Sequence, residues 1–181
     1  MWVHIDCLFI HRWNACYYCE QLFFQKTTPF SVCNKPQNKW QRSDIIPIEF
    51  VVRNIAAGSL SKRLGIEEGN VLRDPLLEFY YKNDELGDPL ITKEHIYAFD
   101  YCDVVTLDFI ERQCFRVNDF LQGMFKGVDI KLVDFKLEFG KERKEESGSM
   151  VAKILIADEI SPDTCRLWDA TTDKKLDKDL F

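Results

Sequence analysis

Leu132-Val133-Asp134-Phe135-Lys136-Leu137-Glu138-Phe139-Gly140 is the stretch from which the rest of the chain can be read. Apolar and charged residues alternate along it, so a strand places Val133, Phe135, Leu137 and Phe139 on one face and Asp134, Lys136 and Glu138 on the other. The apolar face predicts a core; the charged face predicts a site. Asp134 and Glu138 are separated by roughly 13 Å along such a strand, too far to share a metal ion but suited to lining a groove. A second carboxylate therefore has to come from another segment. Asp158 is the candidate: Ile154-Leu155-Ile156-Ala157 reads as a short buried strand that can pair with the first and bring Asp158 beside Glu138.

The segment that follows strengthens this reading. Asp158-Glu159-Ile160-Ser161-Pro162-Asp163-Thr164-Cys165-Arg166 gathers hard oxygen ligands and one guanidinium within nine residues. Two carboxylates from neighbouring strands suit Mg²⁺ when its other ligands are water and phosphate oxygens. Arg166 offers a planar fork for phosphate or carboxylate.

Outward from this centre, Ile45 to Ile55 is rich in β-branched residues and reads as a strand, with Pro47 near its start. Ala56-Ala57-Gly58-Ser59 leads into a short helix, Leu60 to Leu64, for which Ser59 is the expected N-cap. Small residues permit close approach of a ligand, and the helix start and Arg53 together suggest an anion cradle. Leu76 to Lys82 reads as a strand and Asn83 to Pro89 as a polar turn, where Lys82, Asp84 and Asp88 also satisfy ordinary turn chemistry. Thr92-Lys93-Glu94 resembles a helix start. A longer helix is predicted from about Asp103 to Lys126, its apolar stripe formed by Val105, Phe109, Val117, Phe120, Leu121 and Met124, with Gly127 as C-cap. Gly140 to Met150 reads as a charged hairpin tip.

Residues 1–44 differ in kind. They hold nine aromatic residues and four of the seven cysteines, with no sustained apolar period, and no glycine occurs before Gly58. A glycine loop that cradles phosphates therefore has no place in this part of the chain. Cys16-x-x-Cys19, with His11 and Cys33 nearby, lacks a second pair at metal-ligand spacing. The odd cysteine count argues against a secreted disulfide framework, and Trp2 to Ile10 is too short and too polar to span a membrane. A net charge of −6 gives no reason to expect nucleic acid or an anionic membrane as partner. The chain reads as cytoplasmic, and whether it forms a homo-oligomer is left open.

The stretches VDFKLEFG and ADEISPDTCRLWD resemble the two signature motifs of the SAICAR synthetase family, and IPIEFVVRNIAAGSLSKRLGIEEG and LLEFYYKNDELGDPL resemble further family motifs in the same order. The resemblance covers about residues 45–181. It implies an α+β (α/β two-layer) fold with ATP-grasp or kinase-like nucleotide-binding architecture, shortened at both ends relative to the family. It divides the chain into an anomalous lead-in, 1–44, and a catalytic and substrate domain, 45–181. The implied activity is a carbon–nitrogen ligase of purine biosynthesis that uses ATP and Mg²⁺ to join L-aspartate to the carboxylate of an imidazole ribonucleotide through an acyl phosphate. The alternative is a shortened copy that retains only substrate-nucleotide binding. By the same resemblance Glu138 and Asp158 hold Mg²⁺ on ATP, while Lys136, Asp134 and Arg166 act at the reacting groups. Arg53 and Ser59 grip the ribose 5-phosphate, and Lys82 and Asp88 line the rim of the substrate site.

Overall fold

The computed structural model describes residues 44–146, 149–161 and 163–176. His11, Cys16, Cys19 and Cys33 lie outside the described residues, as do the lead-in up to residue 43 and the C-terminal stretch 177–181. In chain order the elements are β1 (Asp44–Ile55), α1 (Gly58–Leu64), β2 (Val71–Tyr81), β3 (Leu90–Ile91), α2 (Lys93–Ala98), α3 (Val104–Lys126), β4 (Ile130–Glu146), β5 (Ser149–Ile156) and β6 (Cys165–Asp169). The strands form one antiparallel sheet in the order β3-β2-β1-β4-β5, and β6 also pairs with β4. The predicted α+β two-layer architecture is present, with α3 packed across one face of the sheet.

That face is built by alternation. Ile46, Ile48, Phe50 and Val52 of β1 and Phe135, Leu137 and Phe139 of β4 point to the same side and are buried. Phe50 stands edge-on to both Phe79 and Phe139, with ring centroids 5.7 and 5.2 Å away. Against them α3 lays Leu107, Ile110, Cys114, Val117, Leu121 and Phe125, a spacing of three and four residues. Val105 is not part of this stripe: it is 77% exposed, and the buried row runs through Leu107 and Ile110 instead. Phe109, Phe120 and Met124 flank the row half-buried. Gly127 is the C-cap as expected, but its backbone stays right-handed, and the positive φ that turns the chain falls on Asp129.

The alternation of β4 breaks at one place. Leu132 opposes Leu167 and Asp134 opposes Arg166, so Val133 is an extra residue in β4, a bulge against β6. Leu132 therefore joins the main core, while Val133, expected with Phe135, packs with Ile55, Ala57 and Trp168 in a second, smaller cluster. Strand β6 itself was not foreseen. It takes up β4 where β5 leaves off, and the chain between them makes the excursion that carries Asp158.

Helix α3 starts at a strong cap. The Asp103 carboxylate accepts hydrogen bonds from the Thr106 backbone N–H at 2.8 Å and its hydroxyl at 2.7 Å, and Lys141 lies 3.2 Å away. The Thr106 side-chain and backbone bonds pull the Asp103 pKa down to about 2. Because the folded-state value lies below the unfolded one, this contribution is complete above about pH 4 and is lost as pH falls through about 2. Asp103→Ala is expected to lower stability by about 1 kcal/mol at neutral pH. Urea denaturation at pH 7 and pH 2.5 tests this: a deficit equally large at the lower pH contradicts it.

Candidate functional site

The opposite face of the sheet is polar, and cross-strand register assembles it. Glu49 sits opposite Glu138 and Tyr80, Val51 opposite Lys136 and Glu78, and Arg53 opposite Asp134. Residues directly opposite one another share a face, so three strands bring their charges to one surface. The predicted set Asp134, Lys136 and Glu138 does lie together on this side, joined by Glu49, Glu78, Tyr80 and Lys82.

At one end of the face is a lysine-centred cluster. The Lys136 ammonium donates to Glu49 at 2.8 Å and Glu138 at 3.3 Å, and the Asp158 carboxylate is 4.0 Å away. The chain leaves β4 where the Ala157 N–H donates to the Glu138 carbonyl and returns where the Lys136 N–H donates to the Thr164 carbonyl, both at 2.9 Å. Between these anchors the excursion carries Asp158 back over the strand. Glu138 and Asp158 thus reach the same side, as predicted, with an ammonium between them. Lys82 donates to the other Glu138 oxygen at 2.5 Å. Burial opposes the Lys136 charge, but the hydrogen bond and charge of Glu49, followed by those of Glu138, prevail and hold its pKa above the ordinary lysine value.

At the other end is an arginine-centred cluster. Arg53, 5% exposed, donates from Nε to Glu78 and from Nη1 to Asp134, each at 2.6 Å. Its Nη2 donates to the Ser59 hydroxyl at 2.8 Å and the Tyr80 hydroxyl at 3.2 Å. Arg166 donates to the same Asp134 oxygen at 2.6 Å, and Arg63 pairs with the second Glu78 oxygen. Arg53 and Ser59 do meet, though not through a cap: the N-cap of α1 is Ala57 with no side-chain cap bond, and the Ser59 hydroxyl instead faces the guanidinium. Most of the Arg53 fork is engaged by protein groups.

Arg166 lies directly against Gly58. That glycine has φ +56°, and a Cβ there falls 2.9–3.1 Å from the Arg166 guanidinium atoms. Gly58→Ala is therefore expected to cost about 1–2 kcal/mol through the left-handed backbone and to push Arg166 off Asp134. A thermal melt that matches the parent protein contradicts this. The floor beneath the turn is the Ile55, Ala57, Val133 and Trp168 cluster.

Asp88 stays apart from both clusters. Its carboxylate accepts the Asn83 N–H at 2.9 Å and closes the turn after β2, while Lys82 from the same region reaches Glu138. Sequence reasoning missed Glu49, Glu78, Tyr80 and Arg63. The only signal for the first three was parity with Arg53 and with the β2 strand, and Arg63 stands four residues beyond Ser59 on α1.

Counting charges, the arginine end sets Arg53, Arg63 and Arg166 against Glu78 and Asp134, an excess of one positive charge. The lysine end sets Lys82 and Lys136 against Glu49, Glu138 and Asp158, an excess of one negative charge. Such a surface suits an extended ligand that is anionic at one end and presents a cation or amine at the other.

A two-layer α+β domain with one apolar and one charged sheet face is the class that the fold defines. Within it, a family model for SAICAR synthetase matches residues 14–181, and the chain belongs to that family. The match begins well upstream of Ile45 and takes in much of the lead-in. The phosphoribosylaminoimidazole-succinocarboxamide synthase of Pelagibacter ubique is 61% identical over 138 residues, 76% of this chain and 52% of that protein. The crystal structure of the Ehrlichia chaffeensis synthase superposes with a TM-score of 0.71 at 50% identity, covering 76% of this chain and 56% of that one. A SAICAR synthetase in complex with ADP gives a TM-score of 0.68 at 48% identity, covering 77% and 57%. The chain spans about half the length of the curated relatives it matches.

Proposed function

We propose that this chain carries the substrate- and cation-binding face of a ligase that joins L-aspartate to the carboxylate of carboxyaminoimidazole ribonucleotide, with ATP as the second substrate. The observation that supports it is the arrival of Glu138 and Asp158, from β4 and from the excursion after β5, at one Lys136 ammonium. Family membership supplies the reaction type, and the ADP complex of a relative supports a nucleotide.

Glu138 and Asp158 are the residues that hold Mg²⁺ in this reading. Their fit rests on donor chemistry: two hard carboxylates on one side of the sheet, in a cluster with excess negative charge, one of them partly open to solvent. Mg²⁺ neutralises phosphate charge when bound. Glu49 retains the Lys136 ammonium, so that the lysine keeps one carboxylate partner independent of the other two. Lys136 and Arg166 orient the anionic substrate and stabilise charge that develops on phosphoryl transfer, a reaction that asks mainly for position and electrostatics. Asp134 anchors Arg53 and Arg166, while Arg53 and Ser59 hold the ribose 5-phosphate. Lys82 steadies Glu138 at the substrate rim; Asp88 shapes the adjacent turn and approaches substrate only from there. The setting is the cytoplasm. Among the described residues no helix is long and apolar enough to cross a membrane.

A second reading, binding of the imidazole ribonucleotide without turnover, is favoured by one fact: no glycine precedes Gly58, so residues 1–57 offer no glycine loop over ATP phosphates. Incubating the purified chain with ATP·Mg²⁺, carboxyaminoimidazole ribonucleotide and L-aspartate separates the two. Aspartate-dependent ADP release supports the ligase; calorimetric binding of the ribonucleotide with no ADP release supports the second reading. Binding of neither substrate overturns both.

A further inference from the structure

We propose that Arg63 makes the arginine end of the face selective for a phosphate monoester dianion, an inference that rests on assigning Arg53 and Ser59 to a substrate phosphate. Arg53 is locked between Glu78 and Asp134, and those two carboxylates cancel the charges of Arg53 and Arg166. The excess positive charge is the third guanidinium. Without Arg63 the cluster is electrically neutral.

Position agrees with charge. Ser59 and Arg63 stand four residues apart on α1, so both project from the same side of the helix. Ser59 meets Arg53 Nη2 at 2.8 Å, Arg63 Nη1 meets the Tyr80 hydroxyl at 3.3 Å, and that hydroxyl meets Arg53 Nη2 at 3.2 Å. Ser59 and Tyr80 thus meet at one guanidinium nitrogen of Arg53, and Arg63 joins them through the Tyr80 hydroxyl. Tyr80 donates its own proton to Glu78 at 2.9 Å, which leaves its oxygen to receive the two arginines. Glu78, 7% exposed, divides its oxygens between Arg53 and Arg63 and thereby sets the spacing of the two forks. The Arg63 side chain is 32% exposed against 5% for Arg53, so Arg63 is the fork able to turn toward an arriving oxygen while Arg53 holds its place. A guanidinium matches a phosphate with two parallel N–H···O bonds, which a lysine cannot reproduce.

The second ionisation of a phosphate monoester lies near pH 6. A site with one uncompensated guanidinium favours the dianion, so affinity falls as the ligand takes up a proton.

The test is calorimetric titration of the full chain with D-ribose 5-phosphate between pH 5 and pH 8, with circular dichroism and a thermal melt for every variant. The parent protein is expected to bind more tightly at the higher pH. Arg63→Gln is expected to weaken binding at least roughly tenfold at the higher pH, the size of a lost charged hydrogen bond, and to flatten the pH dependence. Arg63→Lys is expected to keep the pH dependence while losing several-fold in affinity, and it decides the matter if the glutamine variant does not fold. If Arg63→Gln binds like the parent with the same pH profile while Ser59→Ala weakens binding, the phosphate site stands and the role of Arg63 is overturned. Loss of the pH dependence in a folded Arg63→Lys overturns it as well. If the parent protein does not bind ribose 5-phosphate, the phosphate assignment fails and the inference falls with it.

Discussion

Arg53→Met is expected to cost about 3–5 kcal/mol of stability, the worth of two charged hydrogen bonds inside the protein. The methionine fills similar space but removes the cation between two carboxylates that are themselves less than one-tenth exposed, Glu78 and Asp134. Each carboxylate keeps one arginine, so the loss is that of two buried charged hydrogen bonds, to Glu78 and to Asp134, at about 1.5–3 kcal/mol each. Against a total stability of about 5–15 kcal/mol the loss is large. Arg63 and Arg166 remain on those carboxylates, so the outcome is a weakened fold, and a shift of the urea midpoint measures it. A variant within 1 kcal/mol of the parent protein would show that the cluster is solvated far more than its burial indicates. Asn54, next along β1, is tied to α3 through a reciprocal amide pair with Asn118 at 2.8 and 3.1 Å, so the strand itself stays anchored when the arginine is lost.

Under the proposed ligase reading, Lys136→Met is expected to reduce aspartate-dependent ADP release by about 10²–10³-fold, the usual effect of deleting one preorganised charge at a reacting centre. It also leaves Glu49, Glu138 and Asp158 facing one another with only Lys82 to balance them. In the parent protein the raised Lys136 pKa makes its contribution constant through neutral pH, to be lost only as pH rises through the folded-state lysine value. In the variant, stability at pH 7 should fall below that of the parent protein, because like charges left this close repel. Denaturation at pH 7, with turnover in parallel, checks the two parts separately. Unchanged stability with unchanged ADP release removes Lys136 from the site.

Most of the secondary structure was legible because its signals are short-ranged. The period of two in β1 and β4 and the period near four in α3 follow from backbone geometry within a few residues, and the motif stretches carried the family. The misreadings arose where a distant segment intervened. Val105 sits on the exposed side of α3 because the core row is phased by Phe50, Phe79 and Phe139 beneath it. Val133 changes clusters because β6 forces a bulge. Ser59 leaves its capping role because Arg53 offers a charged partner.

From residue order alone came the alternating strands, the long amphipathic helix, the acidic pair Glu138 and Asp158, and the expectation that Arg53 and Ser59 act together. Only the tertiary structure chose which charges meet: Glu49 with Lys136, Glu78 with both Arg53 and Arg63, Asp134 with both Arg53 and Arg166. Strand register selects those partners, and a shift of one residue turns every side chain to the other face, so local pattern can announce a charged surface but cannot tell which ion pairs it will hold.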